Sequence, residues 1–202
     1  MITARDNSWR VITPPKTAST AIAVLLHEMP FRGHYTGWQH DAAPLRGGRI
    51  ILSVRSPYTR AVSLWRHLLY DHQRAGEQRP AEIHSFSRFM KDVLAGKLTD
   101  FFWPIFRYLE AIPVVDALVR FEHLSEDLRT ALPEYDWTNV TIAQQNHNPV
   151  LLENSSLRNK AWLRPVTVIS DPLTLPDNRG LVIKWASEDF KRFSYSTEYP
   201  DT

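Results

Sequence analysis

Two prolines, a lysine and three hydroxyl residues follow one another near the start of the chain, in Pro14-Pro15-Lys16-Thr17-Ala18-Ser19-Thr20. A strand-like run, Trp9 to Thr13, leads in, and apolar residues at helical spacing, Ala18, Ala21, Ile22, Leu25 and Met29, lead out. A helix that starts directly after a buried strand presents N–H groups without helical partners and a positive dipole end. Lys16 adds a full charge, and Thr17, Ser19 and Thr20 add hydroxyl donors. The set suits a phosphate or a similar oxyanion. A Ser/Thr cluster by itself reads more simply as a helix cap beside a surface lysine, but the feeding strand and the Pro-Pro-Lys lead favour an anion site. The stretch has no glycine, so it is not G-x-x-x-x-G-K-[ST]. No acidic residue at a strand end is evident to hold Mg²⁺, which disfavours a metal-dependent kinase.

A second cation ends a second buried run. Ile50 to Val54 is continuously apolar apart from Ser53, and Arg55 follows it. Pro57 suits the first turn of the next helix. Ser63 lies eight positions beyond Arg55, about two helical turns on. Arg55 can grip a phosphate with paired donors. Ser63 can add a hydroxyl only if the Arg55-Ser56-Pro57 turn folds back over the helix. The plainer alternative makes Arg55 a salt-bridge partner and Ser63 a solvated residue. Two such turns in one small protein suit a ligand with two separated anionic groups. Between them lies His34, whose imidazole titrates near neutrality and can take a proton from a hydroxyl. The plainer reading of His34 is a loop histidine without chemistry. His40 and Glu28 are the reserves for that role.

Pro15-Lys16-Thr17-Ala18-Ser19-Thr20 resembles the 5′-phosphosulfate loop of sulfotransferases, in the form found in the heparan sulfate and uronyl 2-O-sulfotransferases. Val54-Arg55-Ser56-Pro57-Tyr58-Thr59-Arg60-Ala61-Val62-Ser63 is similar to the 3′-phosphate motif, usually V-R-[DN]-P-x-x-R-x-x-S, with Ser56 in place of the usual acid or amide. Gly33-His34-Tyr35 lies where those enzymes carry a G-H pair with a catalytic histidine. Val119 to Leu124 and Asp189 to Tyr195 are weaker echoes. The resemblance spans roughly residues 9 to 195. It implies sulfuryl transfer from 3′-phosphoadenosine-5′-phosphosulfate (PAPS), as co-substrate and without a metal, to a hydroxyl-bearing acceptor such as a saccharide. It also implies roles. Pro15, Lys16, Thr17, Ala18, Ser19 and Thr20 would hold the 5′-phosphosulfate, and Arg55 and Ser63 the 3′-phosphate. Lys16 would neutralise the leaving oxygen, and His34 would be the base. The alternatives are a P-loop-like phosphotransferase and a non-catalytic module that binds nucleotide or sulfated glycan.

The elements that must position these residues alternate strand and helix. After Pro57, apolar residues at Tyr58, Ala61, Val62, Trp65, Leu68 and Leu69 give a helical series, with Arg60, Ser63 and His67 on a different face. Residues 31 to 49 read as irregular, and Asp71 to Glu82 as a polar loop. Ser85 to Leu94 reads as a helix with Ser85 as N-cap, followed by an aromatic cluster at 101 to 106 and a short helix. Val114 to Phe121 is a third strand, Leu124 to Leu132 a helix, and Asn139 to Ile142 a further short strand. Residues 144 to 176 are loop-rich, and Leu181 to Phe193 forms a closing helix. The expected fold is α/β: one domain over 1–202, a P-loop-like three-layer sandwich with a central, mainly parallel sheet flanked by helices.

Composition sets the outer bounds. The 202 residues are 43% hydrophobic and 23% charged, a globular balance. A formal charge of +2 is too small to argue for nucleic acid as a partner. There is no cysteine, so disulfides and thiolate metal sites are excluded. Met1 to Arg10 lacks the apolar core of a signal peptide, and no apolar run is long enough to span a membrane. The expected location is cytoplasmic.

Overall fold

The computed structural model describes residues 2–4, 6–28, 34–35, 47–74, 85–110, 112, 114–138 and 171–199. Among the described residues, five strands form one sheet: β1 (Ile2–Thr3), β2 (Trp9–Ile12), β3 (His34–Tyr35), β4 (Arg49–Val54) and β5 (Ala117–Arg120), in the spatial order β3-β1-β2-β4-β5. The strands β2, β4 and β5 are parallel neighbours, and β1 runs antiparallel to β2 and β3. The fold is therefore mixed α/β with a mostly parallel sheet.

The helices are α1 (Ser19–Glu28), α2 (Pro57–Arg74), α3 (Phe86–Leu94), α4 (Ile105–Leu109), α5 (Leu124–Ala131), α6 (Pro176–Trp185) and α7 (Ser187–Arg192). Period-2 alternation along the strands divides their side chains between two clusters. Val11, Ile51 and Val119 pack with Ile22 and Leu26 of α1 and with Leu124 and Leu128 of α5. Leu52 and Val54 pack with Ile105 of α4 and Phe193, with Ile12 and Leu118 alongside. This explains why β4 reads as apolar on both parities apart from Ser53, since each parity has a packing partner. Truncation of Leu52, fully buried, is expected to cost about 2–5 kcal/mol, read as a lower urea midpoint.

Several expectations are met and several corrected. Ser85 does cap α3, its side chain accepting from the Arg88 N–H at 3.2 Å. The polar start contains β1, which returns to β2 through a tight turn at Asp6-Asn7-Ser8. Asp6 accepts the Ser8 N–H and hydroxyl there, and Asn7 takes a left-handed φ of 60°. A two-residue strand leaves no periodicity to detect. Residues 31–49 are not wholly irregular, since β3 lies within them. Helix α2 runs on to Arg74, past the expected loop start at Asp71; a polar composition does not by itself separate a helix end from a loop. The closing helix is two helices meeting at Ala186, and the first begins early, with Pro176 in its opening turn. The proposed strand at 139–142 lies outside the described residues.

Candidate functional site

The loop from Thr13 to Ala18 leaves the carboxyl end of β2 and opens α1. Two of its non-glycine residues have left-handed backbones, Lys16 at φ 66° and Ala18 at φ 78°. Such conformations cost on the order of 1–2 kcal/mol each for L-residues, so the surroundings must impose them. The first intrahelical bond of α1 runs from Ile22 N–H to the Ala18 carbonyl, which leaves the amides of Ser19, Thr20 and Ala21 ahead of the helical ladder. Pro15 and Ser19 are buried, Lys16 and Ala18 half-buried, and Thr20 exposed.

Thr17 serves the loop from within. It is fully buried; its hydroxyl donates to the Pro14 carbonyl at 2.7 Å and pairs with the Ser53 hydroxyl of β4 at 2.6 Å. Its N–H reaches the same Pro14 carbonyl. The hydroxyl expected to face a ligand instead locks the turn to the sheet. Thr17→Val, close in volume, leaves Ser53 and the Pro14 carbonyl without that partner. It is expected to cost about 1–3 kcal/mol in chemical denaturation.

Arg55, at the end of β4, is buried to 8% exposure, with its guanidinium 4.2 Å from the Phe121 ring centroid. Its Nε donates to Thr59 Oγ1 at 3.0 Å, and Nη1 reaches the Lys16 carbonyl at 3.4 Å. The two motifs, 39 residues apart, are thus in direct contact. The Arg55 side chain reaches Thr59 in the first turn of α2. Ser63 lies one turn beyond Thr59 on the same helix face and is half-buried. Thr59 is a member of this cluster that motif spacing did not single out.

Charges of both signs surround Arg55. Burial holds its pKa down at about 10; Glu122 opposes that shift, and Arg60 and Arg66 add to it. It remains charged at neutral pH. No acid at a strand end is evident from the sequence, yet Glu122 stands two residues past β5. Its Oε1 accepts the Ser56 N–H at 2.9 Å and its Oε2 the Tyr195 hydroxyl at 3.0 Å. Both oxygens are thereby committed to holding the turn after Arg55. Burial, and then Glu122, push Tyr195 far above the ordinary tyrosine range, so it stays a donor.

Arg60 is the residue that sequence reasoning undervalued. Helical spacing sets it off the apolar face of α2, but it is completely buried. Its Nε donates to the Pro15 carbonyl at 3.0 Å and its Nη1 to the Trp103 carbonyl at 2.9 Å. Asp189, also buried, supplies negative charge nearby.

His34 stands apart from this cluster. It is the first residue of β3 and pairs with Thr3, which pairs with Arg10. Two strand spacings, about 10 Å, separate its backbone from β2, and its level is that of Arg10 rather than of Ile12 at the carboxyl end. The structure brings Lys16, Arg55 and the start of α1 together and leaves His34 on the outer strand. His40 lies outside the described residues.

No family model, curated protein or solved structure matches the chain. Among the described residues, no helix is long and apolar enough to cross a membrane.

Proposed function

We propose that the protein is a PAPS-dependent sulfotransferase acting on an acceptor hydroxyl, of which a saccharide is the leading class, and that its fold is a P-loop-like three-layer sandwich. The observation that supports this reading is the contact between the Arg55 guanidinium and the Lys16 carbonyl, which brings together the two turns read as anion sites. A ligand spanning them has two separated anionic groups, as a 3′-phosphate and a 5′-phosphosulfate are. The residues suit such a donor. The amides that open α1 and Lys16 face the phosphosulfate, with Pro15, Ala18, Ser19 and Thr20 shaping the loop and Thr17 locking it. Arg55, its guanidinium over the Phe121 ring and its Nε held by Thr59, supplies the charge for the 3′-phosphate, with Ser63 one turn beyond Thr59.

In the transfer, the acceptor oxygen attacks sulfur in line. The new O–S bond forms as the bond from sulfur to the bridging oxygen breaks, and that electron pair stays on the departing 5′-phosphate. Lys16 stabilises the charge gathering there. The acceptor proton goes to a base, assigned to His34. The position of β3 on the outer side of the sheet then implies that the acceptor approaches from that edge. His34→Ala is expected to leave donor binding unchanged and abolish transfer; full activity in that variant would place the base elsewhere. A cytoplasmic setting belongs to the same proposal.

The direct assay is release of adenosine 3′,5′-bisphosphate from PAPS in the presence of sugars, lipids and phenols. Acceptor-dependent release is expected. Tight donor binding without release for any acceptor would point to a binding module instead.

A further inference from the structure

We propose that Arg60 is the positioning residue of the anion loop: it holds the Pro15–Lys16 peptide in the orientation that keeps the loop in its left-handed form. This rests on the reading of that loop as an anion site and adds the means by which the site is preformed.

Arg60 has 0% exposure and lies beneath the loop, on α2. One guanidinium bonds two backbone carbonyls from distant segments, Pro15 after β2 and Trp103 before α4. It also lies over the Trp185 ring at 5.3 Å. The opposing acid is Asp189, whose two oxygens accept the Ile105 and Phe106 N–H groups at 2.7 Å each. The loop is therefore tied to the start of α4 and to the α6–α7 corner through one buried cation.

The consequence follows from peptide planarity. Among the described residues no peptide bond is cis, so C=O and N–H point to opposite sides of each plane. With the Pro15 carbonyl held inward by Arg60, the Lys16 N–H is turned outward, and Lys16 enters its φ of 66° from that plane. The Lys16 carbonyl is in turn held by Arg55. Two arginines thus pin successive carbonyls, and the strained residue sits between them. A lysine at position 60 has one nitrogen and cannot reproduce the planar fork that reaches both carbonyls.

The test combines one measurement on the unaltered protein with two variants. In ¹⁵N spectra, the Arg60 Nε–H is expected to exchange slowly with solvent and to shift when adenosine 3′,5′-bisphosphate is added. Exchange as fast as that of the exposed Arg107 would overturn the bridge to Pro15. Arg60→Met and Arg60→Lys, compared only as folded protein by near-UV circular dichroism, are expected to bind the bisphosphate at least about tenfold more weakly. Their Lys16 to Ser19 amide resonances are expected to shift, and lysine to restore only part of the affinity. Unchanged affinity and loop resonances in a folded variant would show that Arg60 merely fills space. If neither variant folds, the exchange measurement alone decides. If the unaltered protein binds no bisphosphate, the sulfotransferase reading falls, while the exchange rate of Arg60 still judges the bridge.

Discussion

Lys16→Ala is expected to lower sulfuryl transfer by about 10²–10³-fold, the loss typical when a charge-stabilising donor is removed from a transition state. The loop should keep its shape in this variant. The Pro15 and Lys16 carbonyls and the Thr17–Ser53 pair hold its geometry. Lys16→Gly separates catalysis from stability more sharply. Glycine relieves left-handed strain of about 1–2 kcal/mol and adds unfolded-chain entropy of about 0.4–1 kcal/mol. That variant should be as stable as the unaltered chain or slightly more so, yet equally inactive. Steady-state kinetics with thermal melts checks both halves. A Lys16→Gly protein that is markedly destabilised would contradict the strain argument, and one that is fully active would contradict the role of the lysine.

Asp189→Ala is expected to give the largest loss of stability, about 3–5 kcal/mol, because it leaves a buried cation without its nearby opposing charge. Two α4 amides lose their acceptor at the same time. Burial raises the Asp189 pKa, against the opposing pull of those two amides and of Arg60. Asp189→Asn keeps one acceptor oxygen and should cost less, about 1–3 kcal/mol. Urea denaturation of both variants measures this. Equal, small losses would show that Arg60 needs no counter-charge. Since Arg60 also holds Pro15, the Asn variant should bind a bisphosphate more weakly although Asp189 touches no ligand.

What was legible in the sequence has a common physical basis. The strands β2 and β4, with α1 and α2 after them, announce themselves by long apolar runs and regular spacing, and the turns between carry chemically distinctive residues. The placement of Arg55 against the first loop followed from the parallel order of two strands. The rest was set by tertiary contact. Thr17 has the side chain of a ligand donor, but the neighbouring strand supplies Ser53, and a buried hydroxyl takes the nearest partner. Arg60 sits on a helix face that is polar by periodicity. The loop, the Trp103 turn and the α6–α7 corner close over that face, and none of them is near it in sequence. Glu122 stands in one of the weaker motif echoes, and its bonds to Ser56 and Tyr195 come only with the fold. The two-residue strand carrying His34 is too short to have a period, so its position came from pairing alone.

Two converging cationic turns should select a ligand bearing both a 3′- and a 5′-anionic group. Isothermal calorimetry of adenosine 3′,5′-bisphosphate against ADP tests it most directly, because the two share adenosine and differ in where the second phosphate sits. The 3′,5′-bisphosphate is expected to bind at least about tenfold tighter, a difference of about 1.4 kcal/mol, and Arg55→Ala to remove this preference. ADP binding as tightly as the bisphosphate, or more tightly, would contradict it.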